Sequence, residues 1–133
     1  MSKSEYLKHL YNTPRLYLDV FPASLNEREV LVIKSFWSQS DEFIRKFITD
    51  YRSSNDTMFD FATKFYITMF LVEMGGEKGS MRDIVQIIKN KLENIYGISF
   101  DDQVDTISGI VEKYLTKPDN SVEDLNKWFA KII

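Results

Sequence analysis

The sequence contains no cysteine, one histidine, three prolines and five glycines, and its longest largely apolar run, FYITMFLV at 65–72, is eight residues with Thr68 inside it. Each shortage removes a class of function. Without cysteine there is no disulfide, no thiol nucleophile and no thiolate metal site, which fits a reducing compartment. With His9 the only imidazole, in a first helix expected to fray and to hold it in solvent, neither a serine–histidine arrangement nor a histidine-rich metal site is expected within one chain. No enzymatic activity, cofactor or metal is therefore expected. A membrane span needs about 18–20 apolar residues, so no segment crosses a bilayer. The start MSKSEYLKHLYNTPRL has no apolar core of the secretory kind, and a cytoplasmic location is the expectation.

What is present describes a globular helical protein. Hydrophobic residues make up 44% and charged residues 28% of 133, with a formal net charge of −3. That length can bury about two-thirds of the unfolded surface in one core. The charge offers no overall attraction to nucleic acid or to an anionic membrane. A composition rich in lysine, isoleucine, asparagine, phenylalanine and tyrosine suggests an AT-rich coding sequence, compatible with a bacterial, archaeal or viral source.

The pattern along the chain predicts an all-α fold, a compact bundle of five or six helices with a short extended N-terminal arm. Residues 1–133 are read as a single helical domain, in which 1–23 form a short helix plus the arm and 24–133 form the bundle. A helix over 3–12 ends before Pro14, and PRLYLDVFP between Pro14 and Pro22 reads as the extended arm. SLNE at 24–27 has capping-box spacing, which predicts a helix from Leu25 with Val30, Ile33, Phe36 and Trp37 inward. Ser38 or Ser40 precedes a stripe of Phe43, Ile44, Phe47, Ile48 and Tyr51. Residues 56–74 are apolar except for a narrow stripe at Asp60, Lys64 and Thr68, which predicts a central helix. SMRD at 80–83 can cap a helix with Ile84, Val85, Ile88, Leu92, Ile95 and Tyr96 inward, and Gly97 sits where a left-handed C-cap belongs. SFDD opens a further helix with Val104, Ile107, Val111 and Tyr114 on one face, and NSVED opens the last, with Val122, Leu125, Phe129 and Ile132 inward.

Three short runs invite a chemical reading. GGEKGS at 75–80 holds glycines, a lysine and a serine, but a phosphate loop requires a preceding strand and the order Gly-Lys-Ser. Here the spacing is that of a connector between helices, and what survives is a weak anion or nucleic-acid contact through Lys78, Ser80, Arg82 and Lys89. DDQVD at 101–105 resembles the aspartate-rich magnesium motif of helical isoprenyl-diphosphate and terpene synthases, over five residues and without a second motif. Asp101, Asp102 and Asp105 also fall in a first helical turn, where the macrodipole favours aspartate, and no metal role is assigned to them. Gly97, Ile98 and Ser99 resemble the turn of bacterial helix-turn-helix regulators, but those three aspartates would face a polyanion. Glu27 and Glu29 fall on a predicted polar face and are expected to be solvated.

The remaining signal is aromatic content, 14%, part of it beyond what a helical core accounts for. Leu16, Tyr17, Leu18, Val20 and Phe21 crowd the arm, and Trp128, Phe129, Ile132 and Ile133 end the chain. Leu16, Tyr17, Leu18, Phe21, Trp128, Phe129 and Ile132 are the candidate interface, and a homodimer through the arm or the last helix is favoured. The expected function is non-enzymatic binding or regulation through protein–protein contacts with a partner the sequence does not identify. A nucleic-acid-binding helical protein is one alternative, and a small enzyme or ligand-binding bundle is the other.

Overall fold

The structure, a computed structural model, describes residues 1–74 and 79–115. The fold is all-α: these residues form seven α-helices, and there is no strand among them. The chain divides into two compact units, Met1–Phe61 and a second beginning at Ala62.

In the first unit, α1 (Lys3–Asn12) starts at Ser2, whose side chain accepts the Glu5 N–H, and buries Tyr6, Leu7 and Leu10. The next element differs from the expected extended arm. Pro14–Tyr17 is a single helical turn, α2, with the proline at its start. A proline bars the residue before it from helix, not the residues after it. Thr13 takes the break, at φ −138° and ψ 70°, and the fixed φ of Pro14 suits the new turn. This helix raises the number among the described residues to seven, against the five or six expected.

α3 (Glu27–Ser35) also departs from the sequence reading. Its cap is Asn26, not Ser24: the Asn26 side chain accepts the Glu29 N–H at 2.8 Å, and the Glu29 carboxylate accepts the Asn26 N–H at 3.3 Å. The face that packs inward carries Glu29, Val32, Ile33 and Phe36, buried at steps of three and four. Val30 is only partly buried, and Trp37, expected inward, is 51% exposed. A 3₁₀ turn at Phe36–Ser38 leads to α4 (Asp41–Arg52), capped by Ser40 at the Phe43 N–H. Ile44, Phe47 and Ile48 are buried there, and Phe43 and Tyr51 flank them.

α5 (Met58–Met74) crosses the division, with Met58–Phe61 in the first unit and the rest in the second. Thr57 caps it, bonding the Asp60 N–H at 3.2 Å and the Asp60 carboxylate at 2.8 Å. Only Asp60, Val72 and Glu73 along this helix are exposed. The polar stripe closes at Thr68, which is fully buried because its hydroxyl donates back to the Lys64 carbonyl at 2.9 Å.

In the second unit, α6 (Met81–Tyr96) begins at Ser80, whose side chain accepts the Asp83 N–H, and ends at Gly97 with φ +68°. A 3₁₀ turn at Asp101–Gln103 precedes α7 (Val104–Leu115), which packs against α6. Ile84, Val85, Ile88, Leu92 and Tyr96 are buried from α6, and Ile107, Ile110 and Val111 from α7.

The first unit's core centres on Phe47, whose ring lies 4.8 Å from that of Phe36 and 5.1 Å from that of Phe61, both near edge-on. In the second, Tyr96 meets Tyr66 edge-on at 6.1 Å and Phe100 at 5.4 Å. Burial, reinforced by the neighbouring Tyr66, pushes the Tyr96 hydroxyl well above the usual phenol range. No helix among the described residues is long and apolar enough to cross a membrane.

Candidate functional site

Among the described residues, each unit carries a recess with side chains that suit recognition. In the first, the turn of α2 and the residues after it stand beside α1. The Tyr6 hydroxyl donates to the Tyr17 carbonyl. Its phenol is pushed up to about 12, mainly by burial and further by the charge of Asp19. The Tyr17 ring stacks on His9 at 5.1 Å and meets Tyr6 edge-on at 6.4 Å. Arg15 fixes the other side of α2: its guanidinium donates to Asp41 at 2.8 Å, to the Trp37 carbonyl at 3.1 Å and to the Gln39 carbonyl. Arg45 reaches from α4 to the Tyr11 carbonyl at 3.0 Å. The short helix is therefore held from both flanks.

Beside the Tyr6–Tyr17 pair lies a cleft of about 250 Å³, lined by Tyr6, Tyr17, Val20, Phe21 and Pro22 among others. The Lys34 ammonium sits 5.9 Å from the Phe21 ring centroid. Leu16 is 69% exposed and Val20 57%.

The second recess, about 400 Å³, lies between α6 and α7. Met81, Val85 and Val104 give it apolar walls. Arg82, Gln86, Lys89 and Ser108 supply its polar groups. Lys89 is already engaged, 2.5 Å from Asp101 and 3.9 Å from Glu93. The hydrogen bond to Asp101 raises the Lys89 ammonium above its ordinary value and lowers the Asp101 carboxyl below its own. Arg82 is exposed and has no hydrogen-bond or ion-pair partner among the described residues.

The residues singled out from sequence thus separate. Tyr17 and Phe21 line the first recess and Leu16 is exposed in α2 next to Tyr17, whereas Leu18 is fully buried. Helical winding at α2 turns Leu18 into the core, so it is not available as a surface contact. Arg82 and Lys89 line the second recess together, while Ser80 is occupied as the cap of α6. Lys78, Trp128, Phe129, Ile132, Ile133, Val122 and Leu125 lie outside the described residues. Glu29, expected in solvent, is buried, its carboxylate held by Lys3 at 2.6 Å and by the Asn26 N–H. Asp101, Asp102 and Asp105 are exposed, and the described residues contain no group of three acids or histidines able to hold a metal. Of the α6–α7 recess only Arg82 and Lys89 had a functional signal in the sequence; Val104 and Ser108 had none, since the two sides come together only through packing. No protein-family model, no curated protein and no solved structure matches this chain.

Proposed function

We propose that the chain is a non-enzymatic binding protein that acts through protein contacts, with α2 and the segment to Pro22 as its contact surface. The observation that carries this reading is the exposure of Leu16 and Val20, 69% and 57%, with Val20 and Leu16's neighbour Tyr17 both lining an aromatic cleft. Leaving a large aliphatic side chain in water forgoes about 1.5–3 kcal/mol of burial. A partner that covers both residues recovers that free energy. Tyr17 and Phe21 beside them are of the types enriched where proteins meet. The anchoring of α2 by Arg15 keeps the surface rigid, so little ordering entropy is lost on association. The partner is another protein chain, and a second copy of this one is the simplest choice, because a two-fold contact would cover the same residues on both subunits.

The test joins two measurements on one variant, Leu16→Asp with Val20→Asp. Both residues are exposed, so circular dichroism should be unchanged. Sedimentation equilibrium of the parent protein should give a mass above 15.7 kDa, or affinity capture from its own cells should return a defined partner. The variant should lose that association. Retention of the same mass and the same partners by the variant would remove this surface from the function.

A further inference from the structure

We propose that the cleft between α6 and α7 is a binding site for a small organic monoanion: a carboxylate carried on an aliphatic body. Its size, about 400 Å³, falls in the range that takes a small ligand. Its chemistry is two-sided. Met81, Val85 and Val104 form the apolar part, and Val85 is buried except where it meets the cleft. Among the described lining residues two are basic and none is acidic, in a chain whose formal net charge is −3.

The two cations have different roles. Lys89 already faces Asp101 at 2.5 Å and Glu93 at 3.9 Å, so its charge is compensated within the protein. Arg82, seven residues or two helical turns earlier on the same face, has no such partner among the described residues. Its planar guanidinium suits two parallel hydrogen bonds to a carboxylate. The Ser108 hydroxyl can donate to the same anion from α7. Gln86 donates its amide N–H to Asn90 at 3.0 Å, which leaves its carbonyl as an acceptor at the cleft.

The ligand class follows from what the cleft would leave unmet. Inorganic phosphate would satisfy Arg82 and leave the apolar walls in water. A plain alcohol would cover the walls and leave the guanidinium without an anion. A nucleic-acid backbone would meet the exposed Asp101, Asp102 and Asp105 beside the same elements, with like charge facing like.

Octanoate is the probe, with octanol and inorganic phosphate as comparisons, titrated into the full chain while backbone amide resonances are followed. Octanoate should give saturable shifts at Arg82, Val85, Gln86, Val104 and Ser108, with a Kd of about 1 mM or tighter. Octanol and phosphate should each bind at least about tenfold more weakly, and Arg82→Gln should weaken octanoate by about tenfold with an unchanged circular dichroism spectrum. The proposal is overturned if octanoate does not saturate, if its shifts spread over the whole chain, if octanol binds as tightly, or if Arg82→Gln binds as the parent does. None of these outcomes bears on the α2 surface, so the two readings fail separately.

Discussion

The Lys3 ammonium stands 2.6 Å from the Glu29 carboxylate, whose side chain is only 7% exposed. The same carboxylate closes the capping box of α3 through the Asn26 N–H. One acid therefore fixes the start of α3 and ties α1 to it. The contact raises the Lys3 ammonium above its ordinary value, chiefly through the hydrogen bond to Glu29. Lys3→Met leaves that buried carboxylate without its cation and should cost about 1–3 kcal/mol. Adding Glu29→Gln, which keeps the capping geometry while removing the charge, should restore part of the loss. Urea unfolding of the parent and of the single and double variants checks it, and a Lys3→Met variant as stable as the parent would show that the charge pair contributes nothing.

The raised groups Tyr6, Tyr96 and Lys3 place the alkaline limit of stability. Tyr6 sits at about 12 instead of 10.0, Tyr96 is well above 10.0, and Lys3 lies above 10.5. In each case the folded chain holds its proton where the unfolded chain has released it. The unfolded state then binds fewer protons, so stability falls as pH rises. Their contribution is complete below pH 10.0 and is lost as pH climbs through the folded values, toward about 12 for Tyr6. Unfolding midpoints across this window should drop for the parent and drop less steeply for Tyr6→Phe. A flat profile would contradict the burial of both phenols.

The cap positions show which parts of the fold were legible. Ser40, Ser80 and Gly97 each pair a local side-chain or backbone preference with a helix end, so a few neighbouring residues suffice to place it. At α3 two cap residues compete, Ser24 and Asn26, and only the packing of Val32, Ile33 and Phe36 decides between them. Trp37 reads as inward because the sequence pattern does not show that α3 ends at Ser35 and a 3₁₀ turn follows, and Glu29 reads as outward because its pairing with Lys3 depends on how α1 packs. The α2 turn is hidden because Pro14 and Pro22 both read as breaks, although a proline also starts a helix. Among the site residues, the exposed apolar segment is visible as composition. The grouping of Arg82 with Val104 and Ser108 is not, because it depends on how α6 and α7 pack.

Aromatic truncations should separate by position, not by residue type. Phe47 is fully buried and touches the rings of Phe36 and Phe61 at 4.8 and 5.1 Å. Phe47→Ala should cost about 3–5 kcal/mol through lost burial and the cavity left behind. Trp37→Ala removes a larger ring but from a site that is 51% exposed, and should change stability by less than about 1 kcal/mol. Denaturant midpoints for the two variants decide the matter. A Trp37 loss as large as that of Phe47 would return Trp37 to the core.

Two glycines in the second unit should respond to alanine with opposite signs. Gly97 ends α6 at φ +68°, and its N–H bonds the Glu93 carbonyl at 2.8 Å. A methyl group there would meet nothing within 4 Å, so any cost comes from the backbone alone. Holding an L-residue in the left-handed region costs roughly 1–2 kcal/mol, and Gly97→Ala should be destabilised by about that amount. Gly97→Asn should lose less, since asparagine tolerates this conformation better. Gly109 lies within α7, has no positive φ, and also has open space where a methyl group would stand. Its alanine variant gains helix propensity and loses unfolded-state freedom, so Gly109→Ala should stabilise by about 0.5–1 kcal/mol. Urea unfolding followed by circular dichroism reads both variants against the parent. If Gly109→Ala is destabilising, the helical surface at that point is packed against something that a methyl group displaces, and the open side of α7 beside the proposed ligand cleft would have to be redrawn.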